Sequence, residues 1–181
     1  LLYKQYHKKI MAICIRYLKD KEQSFEIMNE SFMKIFDKIH LYKSEINFEA
    51  WISRITINTI IDFIRKNKHY KQNFITTDEF RIYGEPDDAE GEIDEWWEEA
   101  LSIPSDVLFG LIQELPPSTR IVFNLYAIDE LTHKEIARQL NITEGTSKWH
   151  LSNPRKILKE KLSEIISKKN NCYDLRKEKK H

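Results

Sequence analysis

Near the C-terminal end, Lys148, Trp149, Ser152 and Lys156 recur at helical spacing, with Arg155 beside them and Thr146 in the turn before. Cationic, hydroxyl and indole groups on one side of a helix can donate to phosphates and to base edges in a DNA major groove. No catalytic chemistry is indicated. His133 and His150 have no ligand partners at a metal-binding spacing and are expected at the surface or against phosphate. Cys14 and Cys172 lie far apart without a CxxC spacing, which points to neither a zinc site nor a disulfide framework and fits a reducing cytoplasm. No catalytic residue, metal or cofactor is expected.

The residues around this set supply the elements that would hold it. Thr132 with Glu135 forms a capping box and starts a helix that runs to about Leu140. Asn141 can take the left-handed conformation that ends it, and Thr143 can cap the next helix, which begins Glu144-Gly145-Thr146. Ile136, Ala137, Leu140, Ile142 and Leu151 then face inward, with Ala137 small enough for the steep crossing of a helix-turn-helix. Upstream, SDVLFGLIQEL is stopped by Pro116 and Pro117, a new helix runs through STRIVFNLYAI, and Asp129-Glu130-Leu131 makes a turn. Pro154 interrupts the reading helix and should kink it, at roughly 3 kcal/mol if uncompensated.

The first part of the chain carries three more helical patterns. Tyr6, Ile10, Ile13, Cys14 and Tyr17 form one stripe, and Phe25, Met28, Phe32, Ile35 and Ile39 a second. From Asn47 to Asn67 the chain is apolar on most sides, which suits the central helix of a bundle, and Trp51 belongs to its core. With four Gly, five Pro and no alternating apolar segments, the fold class is all-α.

A net charge of zero hides a partition. Residues 1–75 hold 14 basic against 8 acidic residues, residues 76–115 hold 1 against 13, and residues 116–181 hold 14 against 8. Two basic blocks around an acidic one suggest two polyanion-binding surfaces separated by a segment such surfaces repel. The organisation is therefore two small helical domains, residues 1–75 and 105–168, joined by an acidic linker over 76–104, with a basic tail over 169–181. Within the linker Trp96 and Trp97 suit either anchoring to a domain or docking on a partner. No apolar run is long enough to span a bilayer and no signal peptide is visible, so a cytoplasmic protein without membrane insertion is expected. The chain starts at Leu1, not Met, so a few preceding residues are expected.

Leu115-Pro116, Arg120, Phe123, Glu135-Ile136-Ala137, Leu140, Ile142, Glu144-Gly145-Thr146, Leu151 and Arg155 together resemble the C-terminal domain of sigma-70 family transcription initiation factors. Asn153-Pro154 departs from that pattern, which usually has a basic residue and Ala there. YLKDKEQSFEIMNESFMKIF resembles the family's polymerase-binding helix, and NFEAWISRITINTIIDFIRKNK its promoter-melting helix, including Trp51, Asn58, Asp62 and Arg65. The short linker in place of a middle domain points to the extracytoplasmic-function group.

The resemblance implies a non-enzymatic subunit whose partners are core RNA polymerase, through its β′ clamp helices and β flap, and promoter DNA. An anti-sigma factor is a further candidate partner. Glu26, Asn29, Glu30, Met33 and Asp37 would face polymerase. Arg54, Asn58, Asp62 and Arg65, spaced by four, four and three, would meet the minus-ten element with Lys66 and Lys68, and the loop His40 to Ile46 would capture an unstacked base. Thr146, Lys148, Trp149, Ser152, Arg155 and Lys156 would read the minus-thirty-five element. The linker would thread polymerase channels, its carboxylates imitating phosphates, or serve as a solubilising tether. The alternative is a helix-turn-helix regulator acting without replacing the polymerase sigma subunit, which leaves residues 26–66 without a purpose. A nuclease would need clustered carboxylates or histidines at metal-binding geometry, whereas here the acidic residues gather in the linker.

Overall fold

The helices that begin at Lys21 and Phe48 start where a side chain satisfies otherwise unpaired backbone N–H groups. The Asp20 carboxylate accepts from the Gln23 N–H at 2.8 Å, and the Asn47 side-chain oxygen accepts from the N–H groups of Glu49 and Ala50 at 2.9 and 3.2 Å. A computed structural model describes residues 1–67, Tyr70 and 104–152. Its elements are α1 (Leu2–Leu18), α2 (Lys21–Lys38), a 3₁₀ turn (Ile39–Leu41), α3 (Phe48–Lys66), α4 (Ser105–Glu114), α5 (Pro117–Phe123), α6 (His133–Leu140) and α7 over 144–152. Among the described residues there is no strand. The acidic linker with Trp96 and Trp97, the effect of Pro154, the basic tail, and Lys68, Arg155 and Lys156 lie outside the described residues.

Helices α1, α2 and α3 pack against one another as a three-helix bundle. Ile10, Cys14, Tyr17, Ile27, Met28, Phe32, Ile35, Ile52, Ile60 and Ile64 are buried between them, while Trp51 is half-buried against Tyr42 and Phe48. Burial pushes the Cys14 thiol up to about 12, as expected for a thiol shielded from water. Three hydroxyls sit in this apolar setting because each donates to the carbonyl four residues back: Ser31 to Ile27, Thr56 to Ile52 and Thr59 to Ile55.

The buried stripe of α2 differs from the expected one. Phe25 and Ile39 are 53% and 41% exposed, and Ser24, Ile27 and Ser31 take the inward positions beside Met28, Phe32 and Ile35. The reason is the size of the serines. With their hydroxyls turned onto the helix's own backbone, they allow close approach of neighbouring helices and rotate the larger Phe25 outward.

The second unit encloses Leu111, Ile112, Leu115, Phe123 and Leu151. Pro117 opens α5, where its missing N–H costs no hydrogen bond, and α5 runs on as a π-helical turn from Asn124 to Ile128. That turn ends at Asp129. Ile121, Val122, Leu125, Ile136 and Leu140 join the buried cluster of the N-terminal bundle, so the two helical units lie packed together. Among the described residues no helix is long and apolar enough to cross a membrane.

Candidate nucleic-acid interface

The helix-turn-helix forms as its caps require. The Thr132 hydroxyl accepts from the Glu135 N–H at 3.3 Å, and the Glu135 carboxylate accepts from the Thr132 N–H at 2.9 Å. The Thr132 hydroxyl, donating to the Glu135 carboxylate at 2.7 Å, and then the Thr132 N–H, with Arg138 and Arg54 nearby, hold the Glu135 carboxyl below its usual range. Asn141 ends α6 at φ 58°, and the Thr143 hydroxyl accepts from the Thr146 N–H at 3.0 Å to start α7. Ile136, Ala137, Leu140 and Leu151 are buried and Ile142 is half-buried.

The face that α7 offers is narrower than its spacing predicts. Lys148 and Ser152 are partly exposed, but Trp149 is 8% and Thr146 9% exposed. Thr146 is turned onto Thr143, their hydroxyls 2.8 Å apart, and the Trp149 ring lies edge-on to His150 at 5.1 Å. Neither side chain is presented outward in this arrangement. His150, expected at the surface, is buried, its Nδ1 3.0 Å from the Thr119 hydroxyl, and desolvation lowers its pKa to about 4. His133 is half-buried, stacked on Tyr126 and 2.9 Å from the Ser147 hydroxyl. The helical period alone cannot separate the two faces here, because α7 is held from more than one side.

On the bundle, Glu26, Asn29, Glu30, Met33 and Asp37 all lie on the exposed side of α2, joined by Phe25 and Phe36. Met33 at 62% exposure makes this face apolar at its centre and acidic around it. On α3, Arg54, Asn58, Arg65 and Lys66 are exposed and Asp62 is partly so. Lys34 joins the two surfaces, 2.9 Å from Glu30 and 3.8 Å from Asp62, and Arg65 lies 3.7 Å from Asp62. The loop before α3 is closed by the Tyr42 hydroxyl donating to the Ile46 carbonyl at 2.7 Å.

The sequence patterns give no role to Arg16, Gln113 and Asn124, mark Asp129 only as a turn residue, and include Arg120 only as part of the family pattern. Arg120 is buried and donates from Nε to the Tyr17 carbonyl and from Nη1 to those of Gln113 and Leu115. Burial lowers its pKa. Only an uninterpreted Arg in an apolar segment, TRIVF, hinted at this.

Residues 2–70 match the family model for sigma-70 region 2, and residues 106–158 that for sigma-70 region 4. Over 163 residues the chain is 30% identical to the ECF RNA polymerase sigma factor SigW of Bacillus subtilis, covering 88% of this chain and 86% of that protein. SigM of the same organism, also an ECF RNA polymerase sigma factor, is 28% identical over 164 residues, covering 87% and 91%. A solved complex of the sigma factor RpoE with the anti-sigma factor NepR from Bartonella quintana aligns at 18% identity and a TM-score of 0.47, covering 90% of this chain and 94% of that one. The region 2 match accounts for the segment that a plain helix-turn-helix regulator leaves without a purpose. The chain belongs to the sigma-70 family of RNA polymerase sigma factors, in its extracytoplasmic-function group, and is an alternative sigma factor that directs transcription initiation.

Proposed function

We propose that this sigma factor binds core RNA polymerase through the outer face of α2, with Glu26, Asn29, Glu30, Met33 and Asp37 in contact. The observation that carries this reading is that face itself. Five side chains are exposed together on a helix whose opposite side is buried, with the apolar Met33 among carboxylates. Such a surface suits a partner that offers cations around an apolar centre.

Promoter DNA is engaged by two further surfaces. On α3, Arg54, Asn58, Asp62, Arg65 and Lys66, with Lys68 beyond, meet the minus-ten element, and the loop His40 to Ile46 takes an unstacked base. Melting there draws on binding energy, without ATP and without catalysis by the chain. The helix-turn-helix reads the minus-thirty-five element through Lys148 and Ser152, continued by Arg155 and Lys156, while Thr146 and Trp149 support that helix from within. The units are residues 1–75 and 105–168, tethered by the acidic segment 76–104 and followed by the basic tail. They act in the cytoplasm, and an anti-sigma factor is a candidate regulator.

The test uses the full chain with purified core polymerase. Wild type should co-elute with polymerase and support transcription from a cognate promoter. Glu30→Lys should weaken association tenfold or more at modest salt while leaving the helical signal unchanged. Failure of the wild-type chain to associate with polymerase would overturn the reading. Promoter affinity of the complex should fall steeply with salt, because much of it comes from lysine and arginine at phosphates.

A further inference from the structure

The loop between α2 and α3 is short and closed on itself. After the 3₁₀ turn the chain becomes extended at Tyr42, with φ −67° and ψ 132°, and the Tyr42 N–H donates back to the Ile39 carbonyl at 3.2 Å. Four residues on, the Tyr42 hydroxyl donates to the Ile46 carbonyl at 2.7 Å, and the Ile46 N–H donates to the Lys43 carbonyl at 3.1 Å. One residue thus opens the loop with its backbone and shuts it with its side chain. Asn47 follows at once and caps α3 through the N–H groups of Glu49 and Ala50, so the loop's exit is fixed by that helix start.

The Tyr42 ring is fixed as well as its hydroxyl. It meets Phe48 edge-on, with centroids 5.0 Å apart and planes at 87°, and its centroid lies 5.4 Å from that of Trp51. Phe48 in turn is 5.5 Å from Tyr6 on α1, which ties the cluster to a second helix. Packing of this kind sets ring orientation as well as burying apolar area. Tyr42 is half-buried and forms the floor of the loop, whereas Lys43, Ser44, Glu45 and Ile46 above it are exposed. Its hydroxyl bond lies outside the core and spans four residues, so losing that bond leaves the rings and the bundle in place.

A base that leaves the duplex loses its stacking and pairing, and a receiving loop that became ordered at the same moment would add its own conformational cost. In a loop that is already closed, that ordering is complete before DNA arrives. We propose that Tyr42 is a positioning residue for promoter melting: its hydroxyl holds residues 42–46 in the shape that receives the unstacked base, and its ring braces that shape against α3. Tyr42 acts through the loop, not by touching the base. This inference rests on the reading of this loop as the one that takes an unstacked base, and adds what prepares the loop for it.

The experiment uses the full chain bound to core polymerase and a minus-ten strand that is already single-stranded, with an abasic site placed at each position in turn. The wild type should bind one of these abasic probes much more weakly than the intact strand, which marks the captured base. Tyr42→Phe should bind the intact strand about fivefold more weakly than wild type, the size expected when one neutral hydrogen bond no longer holds the loop. On the probe abasic at the captured position the two proteins should bind equally, because no base remains to be received. Equal weakening on both probes, with a lowered urea midpoint, assigns the hydroxyl to stability alone and overturns the proposal; so does an unchanged affinity of Tyr42→Phe for the intact strand. A wild-type complex indifferent to every abasic site removes the base-capture reading itself, a failure seen before any variant is compared.

Discussion

Lys34 on α2 reaches Asp62 on α3 at 3.8 Å while it holds Glu30 on its own helix at 2.9 Å. One ammonium thus spans the acidic outer face of α2 and the polar stripe of α3. Its side chain is 32% exposed and both carboxylates 48%, so water and salt screen the pairs and little stability resides in them. The prediction is that Lys34→Gln changes the unfolding free energy by less than about 1 kcal/mol in urea denaturation. Its polymerase affinity should not fall, because Glu30 loses only a partner that it must exchange on binding. A loss of several kcal/mol would show that the lysine holds the bundle together.

The capping box offers a sharper stability test, since its geometry is complete. Thr132→Ala removes the hydroxyl that accepts from the Glu135 N–H and should cost about 1 kcal/mol, within a range of roughly 0.5–2. It also removes the hydroxyl's own hydrogen bond to the Glu135 carboxylate, the larger of the two from Thr132 that depress that carboxyl, and leaves the one from the backbone N–H. A depressed carboxyl contributes stability above its unfolded pKa and loses it as pH falls through the folded value. Urea midpoints of wild type and Thr132→Ala should therefore converge as the solution is acidified below pH ~4.5. Midpoints that stay equally separated down to pH 3 would remove Glu135 from the account.

Local signals in this sequence were legible because each needs only a few neighbouring residues. Asn47, Thr132 and Asn141 appear at the helix boundaries that their side chains and backbone preferences predict, and Pro116-Pro117 separates α4 from α5. The α2 stripe was misphased because Phe25 outweighs Ser24 in any count of apolar residues, whereas packing favours the small serine whose hydroxyl its own helix can satisfy. The helical period points Trp149 and His150 outward because it locates one inner face, while α7 is covered on more than one side. The contact of Arg16 with Asp129 crosses 113 positions, and neither residue sits in a pattern that marks its partner. Asp129 reads as a turn residue, which it also is.

His150 gives the clearest pH dependence. It is 1% exposed in the helix-turn-helix, paired with the Thr119 hydroxyl at 3.0 Å, and desolvation holds its pKa at about 4 against an ordinary 6.5. The native imidazole therefore stays neutral between those values while the unfolded chain takes up a proton. Stability from this site is fully present above pH ~6.5 and is lost as pH falls towards 4, with a total on the order of 3 kcal/mol. At pH 5.5 part of that stability should already be lost relative to pH 8, on the order of 1 kcal/mol, read from urea denaturation at the two pH values. His150→Gln keeps a group able to bond Thr119 but cannot titrate, so its stability should change less over the same interval by that amount. Equal losses in the two proteins would mean that His150 is protonated without cost, which its burial against Thr119 forbids.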